Sequence, residues 1–374
     1  MKRHHTYIHQ LKNWPNFTID HEHVLPLLSR IRMKQGQLLG KMKGIGFDLQ
    51  EQTTLQNLTL DITKSGEIEG EFLNPELVRS SVARRLGIAT VGLKQADRHT
   101  DGVVEMMLDA TQHFEKPIGK ERLCGWQAAL FPTGRSGLYK IVTGDYRKDE
   151  TGPMQVVSGA LGKEKVHFEA PAAKLLTAEM KNFMKWFNAK EGTDAVLKAA
   201  IAHLWFITIH PFDDGNGRVA RTLTDMLLAR ADGMKQRFYS MSAQILLERK
   251  AYYDMLERTQ KGTLDITPWV AWFLKCLHSA LQNSEQQTQS IFEKAKFWEA
   301  HKKTHFNPRQ IKMMNKCFDG LDGKLSTTKW AKMNKCSPDT ALRDIQDLIE
   351  KKVLKKETGG GRSTGYVLKG SSGV

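Results

Sequence analysis

The sequence predicts a mainly α-helical protein. A helical bundle with one β-hairpin flap is preceded by an N-terminal helical region and followed by a winged helix-turn-helix. Three observations carry this reading. Apolar residues recur at spacings of three and four over most of the chain. One segment, 138–168, breaks that period with short β-branched runs on either side of Gly152 and Pro153. Residues 307–368 hold three short helical patterns, then two strand-like runs about a glycine-rich tip.

The first helix is expected over 21–43, where Val24, Leu27, Leu28, Ile31 and Leu39 form an apolar stripe between basic residues. The same periodicity marks 174–188 and 194–209, the latter with Leu197, Ile201, Leu204, Trp205 and Thr208 on one face. Gly215 and Gly217 interrupt it. It resumes through Val219, Leu223, Met226, Leu227 and Ala229, with Gly233 as a C-terminal stop. In 138–168, Leu138 to Val142 and Met154 to Val157 are the two strand-like runs of the expected hairpin. Helical pattern returns over 243–258 and 267–300, and 284–304 reads as a connecting helix or linker. In the last part, Pro308–Cys317, Ser326–Lys332 and a segment opened by Ser337-Pro338-Asp339 are helical. Ala341, Leu342, Ile345, Leu348 and Ile349 face inward, and Val353–Lys356 and Tyr366–Leu368 flank the Gly359-Gly360-Gly361-Arg362 tip.

A chain of 374 residues exceeds one compact core. The pattern suggests boundaries at 1–100, 101–290 and 291–374. Lys and Arg number 56 against 41 Asp and Glu, a formal charge of +15 that favours anionic partners without choosing among them. From His301 onward the basic residues number 16 against 7 acidic, so over half the excess sits in the last fifth. Four cysteines lack CxxC spacing, which argues against a zinc site or disulfide framework and fits reduced thiols in a cytoplasmic protein. The polar start, Met-Lys-Arg-His-His, does not resemble a signal peptide. The longest apolar stretch, Ala199–Ile209, is about half the ~20 residues a membrane span needs.

The chemistry concentrates in His210-Pro211-Phe212-Asp213-Asp214-Gly215-Asn216-Gly217-Arg218-Val219-Ala220-Arg221. A helix ends near Ile209, and Pro211 discourages its continuation. Gly-Asn-Gly can take φ > 0 and turn backbone N–H groups inward. A glycine-rich turn running into a helix N-terminus cradles anions. Arg218 and Arg221 share one face of that helix beside the cradle. Asp214, at its entry, can hold Mg²⁺. His210 stands at the mouth with a neutral form available near pH 7.

This segment resembles the signature of the Fic (filamentation induced by cyclic AMP) family, H-x-F-x-D-G-N-G-R-x-x-R, and matches every fixed position. The resemblance implies a protein adenylyltransferase with ATP as substrate and Mg²⁺ as cofactor. In that scheme His210 deprotonates the target hydroxyl, Asp214 binds Mg²⁺, and Gly215, Asn216 and Gly217 donate hydrogen bonds to phosphate oxygens. Arg218 neutralises the β-phosphate and Arg221 reaches the γ-phosphate. The Doc-like kinase branch carries a lysine in this loop, so Gly-Asn-Gly-Arg favours AMP transfer.

Further residues take roles from the same resemblance. Met154, Gln155, Val156 and Val157, after the Gly144-Asp145-Tyr146-Arg147 turn, match the flap that holds a target segment as an added strand. Tyr252 and Tyr253, with Leu256, resemble the adenine wall, and Gln260 lies near the ribose. Ser65-Gly66-Glu67-Ile68-Glu69-Gly70 matches the inhibitory pattern [S/T]-x-x-x-E-[G/N]. It implies a bidentate pair between Glu69 and Arg221 that keeps ATP from reacting, with Glu67 and Glu71 solvated. In some relatives that glutamate also serves removal of AMP. Residues Tyr7–Phe17 resemble an N-terminal domain of unknown function often fused to bacterial Fic proteins, with Trp14 and Phe17 as core anchors. His203 is expected in the core or as a cap, and His4 and His5 in solvent.

In the last unit, Asp339 and Arg343 could face a DNA groove, with Arg362 and the lysines on phosphates, or the unit could dock protein. A homodimer is compatible with the sequence. Two other readings stay open: a nucleotide-sensing DNA-binding regulator, and transfer of another group such as UMP or phosphocholine.

Overall fold

The computed structural model describes residues 6–369 apart from 45, 90–91, 151, 160–161, 191, 319–320, 322 and 358–364. Up to Ser284 the chain forms one compact unit, and from Glu285 a second. The Gly359–Arg362 tip and the His4–His5 pair lie outside the described residues. No described helix is long and apolar enough to cross a membrane.

The first unit opens with α1 (His21–Lys43), α2 (Phe47–Ile68), α3 (Pro75–Leu86), α4 (Arg98–Gln112) and α5 (Lys120–Leu130). Two small antiparallel hairpins follow, β1 (Arg135–Ser136) with β2 (Tyr139–Lys140), and β3 (Gln155–Ser158) with β4 (Lys165–Glu169). Then come α6 (Leu176–Asn188), α7 (Ala195–Ile209), α8 (Asn216–Asp232), α9 (Met241–Leu247), α10 (Arg249–Gln260) and α11 (Thr267–Ala300), which runs on past Ser284.

The bundle is built around α7, in which every residue from Val196 to Ile209 is buried. A helix that is apolar all round belongs at the centre of a core. Its most extensive neighbour is α8, so the loop between them, 210–215, is held from both sides. Residues 1–100 do not separate off, because α2 packs against both α8 and α9. The N-terminal strand-like segment is tied in by Thr18, which accepts from Ile266 N at 3.0 Å and donates to Leu264 O at 2.9 Å. Trp14 and Phe17 meet Trp205 edge-on.

Two expectations change. The helix over 243–258 is broken into α9 and α10, since Glu248 takes non-helical angles (φ −103°, ψ 20°). The strand expected at Leu138–Val142 does not pair with Met154–Val157. Ile141 N donates to Gly134 O and Val142 N to the Asp213 carboxylate at 2.8 Å, so its amides are already used. The flap is instead β3–β4, with a bulge between Val156 and Val157. Tyr7 packs edge-on against Phe168 of β4 with ring centroids 5.1 Å apart, which backs the flap with the N-terminal segment.

The second unit contains α12 (Pro308–Phe318), α13 (Thr327–Asn334), α14 (Pro338–Glu350) and the antiparallel pair β5 (Leu354–Lys356) and β6 (Tyr366–Leu368). Trp330, Met313, Met314, Ile345, Leu348 and Leu354 form its core. Buried Asp344 ties three helices, accepting from Arg309 at 2.7 Å and from Trp330 Nε1 at 3.2 Å. Asp339 and Arg343 are exposed on α14.

Candidate active site

The site lies where α7 ends and α8 begins. His210 caps α7 in the left-handed conformation (φ 51°, ψ 59°), unusual for a residue with a Cβ. A buried guanidinium holds it there. Arg147 Nε donates to His210 O at 2.8 Å, its Nη2 to Pro171 O, its Nη1 pairs with Asp149, and its backbone N donates to Pro211 O. In the sequence Arg147 is only part of a turn, and nothing local signals a bond spanning 63 residues.

His210 Nδ1 faces Ile207 O at 3.2 Å. A carbonyl only accepts, so Nδ1 carries the proton and Nε2 keeps its lone pair. Burial pushes the imidazole down to about 4, opposed by the Ile207 carbonyl and reinforced by the Arg147 cation. The ring is therefore neutral at physiological pH.

The turn into α8 relies on two glycines for different reasons. Gly215 has φ 87°, and a Cβ there would press on Leu130 and Phe131 at 3.0 Å. Gly217 is helical, so the expectation of φ > 0 there is wrong. Its missing side chain makes room: a Cβ would stand 2.0 Å from Glu69 Oε1. Asn216 also differs from expectation. Its side chain accepts from Phe212 N at 2.9 Å and donates to Phe212 O at 2.7 Å, which locks the loop and leaves only its backbone N–H for an anion.

Asp214 accepts from its neighbour Gly215 N and from the Ser136 hydroxyl on β1. No cluster of three or more metal-ligating side chains exists among the described residues. A single half-buried carboxylate next to a phosphate cradle nonetheless fits Mg²⁺, which commonly takes one carboxylate plus substrate phosphates.

The C-terminal end of α2 lies over this cradle. Glu69 caps that helix, and Gly70 follows with φ 82°. Glu69 Oε1 is 2.8 Å from Arg221 Nη1. The pair is not bidentate as expected. The guanidinium, 1% exposed, divides its donors, with Nε on Ser65 Oγ and Nη2 on Ser65 O, both at 2.9 Å. Burial raises the Glu69 carboxyl, but the Arg221 charge outweighs it and holds the group below the usual carboxylate range.

Arg218 has a partner that nothing in the local sequence signals. Glu71, expected in solvent, binds Arg218 with one oxygen and His99 Nε2 with the other. Arg218 is buried and stacks over the Phe131 ring at 4.9 Å. Glu67 pairs locally with Lys64.

The expected adenine wall is partly core. Tyr252 is 1% exposed, and its hydroxyl bonds His203 Nε2 at 2.9 Å. Gln260 is buried with its amide 3.3 Å from Thr208 Oγ1. Neither presents surface to a ligand here. Tyr253 is exposed, and its hydroxyl is 3.4 Å from Glu69 Oε2. Neighbouring Arg249 caps α2 by donating to Ile68 O at 2.8 Å. In the flap, Gln155 pairs with Glu169 and Val156 with Phe168; Val157 and Val166 are exposed, and His167 anchors β4 to Glu257 of α10 at 2.5 Å. Met154 and Val156 pack behind it on Phe168.

The helical bundle thus brings a histidine, a carboxylate and two arginines together around the glycine turn into α8. Residues 117–228 match the Fic/DOC family. Residues 7–88 match a domain of unknown function, DUF4172. The protein adenylyltransferase Fic of Aedes aegypti is 36% identical over 108 residues, 28% of this chain and 20% of the relative. That of Drosophila melanogaster is 35% identical over 104 residues, 27% and 20% respectively. The chain thus spans about one fifth of the length of these curated relatives. A crystal structure of a Fic family protein from Desulfovibrio desulfuricans G20 matches 96% of this chain and 99% of its own, at 20% identity and a TM-score of 0.51, a likeness of fold.

Proposed function

We propose that this chain is an autoinhibited protein adenylyltransferase. The observation that carries the reading is the Glu69 carboxylate seated against Gly217 and Arg221, at the N-terminus of α8 where an anion is favoured. A side chain that mimics an anion there supports a triphosphate as the natural occupant. His210 Nε2 takes the proton of a Ser, Thr or Tyr hydroxyl on the target. The oxygen forms a bond to the α-phosphorus of ATP, the bond to the β-phosphate oxygen breaks, and pyrophosphate leaves. Backbone N–H groups at Asn216 and Gly217 hold phosphate oxygens, and the two arginines offset their charge. Asp214 would hold Mg²⁺, which supplies further neutralisation of the phosphates. The exposed edge of β3–β4 offers main-chain pairing to the target segment. Glu69 blocks this by holding Arg221.

Incubation with α-labelled ATP and Mg²⁺ tests the reading. Glu69→Gly should raise self-labelling well above wild type, with a mass gain of one AMP per site. A different adduct would move the assignment to another transferred group, and absence of any adduct with a lysate present would remove it.

The second unit supports an additional reading as a winged helix. Its basic excess and the exposed Arg343 on α14 favour an acidic partner, DNA or protein. A DNA affinity that falls steeply with salt would select the former.

A further inference from the structure

Both arginines of the motif are paired with carboxylates from the same short segment. Glu69 holds Arg221; two residues on, Glu71 holds Arg218 across a sequence separation of 147. The two clasps differ in one respect. Glu69 makes one ion pair, with Arg221, but Glu71 makes two. Its Oε2 binds Arg218 and its Oε1 binds His99 Nε2. The other nitrogen of His99, Nδ1, faces Leu130 O at 3.0 Å. With acceptors on both sides, the ring is satisfied as an imidazolium, which donates twice.

Arg218 is buried at 6% exposure, so its charge must be paired at all times. Glu71 engages only Nη1 of Arg218, and Nε has no hydrogen-bond partner, so a phosphate that takes Nη1 together with Nε must displace Glu71. A displaced carboxylate without another cation would be stranded in a half-buried position. His99 prevents that, because it already holds the other oxygen.

We infer that Glu71 sets the affinity of this site for the nucleotide phosphate: it competes for Arg218 in the empty state and is handed to His99 when the phosphate binds. The inference rests on the proposed nucleotide site. It separates two roles on one segment. Glu69 governs whether bound ATP can react, and Glu71 governs how tightly ATP binds.

The test is isothermal titration of a non-hydrolysable ATP analogue with Mg²⁺ into full-length Glu69→Gly protein. Adding Glu71→Gln should lower Kd roughly tenfold, the scale of one charge-assisted hydrogen bond. Adding His99→Leu instead should raise Kd, since Glu71 then has only Arg218. In the triple variant, His99→Leu should have no further effect. Unchanged or weaker binding by Glu71→Gln would overturn the inference and make Glu71 a support that orients Arg218. If no variant binds the analogue, the nucleotide site itself falls, and the inference with it. Melting curves of each variant identify any that fail to fold, and Glu71→Asp, which keeps the charge but shortens the reach, then provides the comparison.

Discussion

Two histidines seven positions apart on the same helix have opposite fates. His203 lies in the middle of α7 with no exposure. His210 ends it, half-buried, at the mouth of the site. Burial depresses both, His203 to about 3 and His210 to about 4. What separates them is the second nitrogen. Thr224 spends its hydroxyl proton on Ala220 O, so His203 Nδ1 donates to Thr224 Oγ1, and Nε2 accepts from Tyr252. Every lone pair and proton of that ring is used. At His210 only Nδ1 has a described partner, Ile207 O. Burial therefore makes an imidazole neutral, but only an unengaged nitrogen makes it a base.

The largest expected effect is at His210. In the Glu69→Gly background, His210→Ala should lower AMP transfer by roughly 10²–10⁴-fold with little change in melting temperature. Comparable activity would dissolve the contrast between the two rings. His203→Ala should do the reverse. It leaves a cavity and strands the Tyr252 hydroxyl, at about 2–4 kcal/mol of stability by denaturant titration. A loss below 1 kcal/mol would mean that its hydrogen bonds are dispensable.

Asn216→Ala removes both bonds to Phe212 and should cost about 1–3 kcal/mol, with activity falling as the loop loosens. Asn216→Asp, which keeps the acceptor and loses the donor, should fall between. The smallest effect is acid sensitivity. Both histidines bind protons less readily folded than unfolded, so the unfolded chain gains protons first. Stability should be level above pH 7 and decline as pH falls below about 6.5, the unfolded value, towards the folded values near 4 and 3. His203 alone accounts for about 0.7 kcal/mol between pH 7 and 6, and a His203→Leu variant should show a shallower decline in melting temperature.

Elements whose information is short-range are legible in the chain alone. Apolar spacing marks α1, α6, α7 and α8, and twelve contiguous residues hold the histidine, the loop and both arginines, because a helix end and the turn after it depend on near neighbours. Who pairs with whom across the cradle is settled only once the helices pack. Arg147 reaches His210 from 63 positions away and Glu71 reaches Arg218 from 147. Glu69 and Glu71 look alike in sequence, as do Tyr252 and Tyr253. Which carboxylate meets which arginine follows from where the end of α2 meets α8, and which ring turns inward from where α10 meets α7. The free energy of a buried charge depends on the partners that surround it in space, and local sequence carries no record of those.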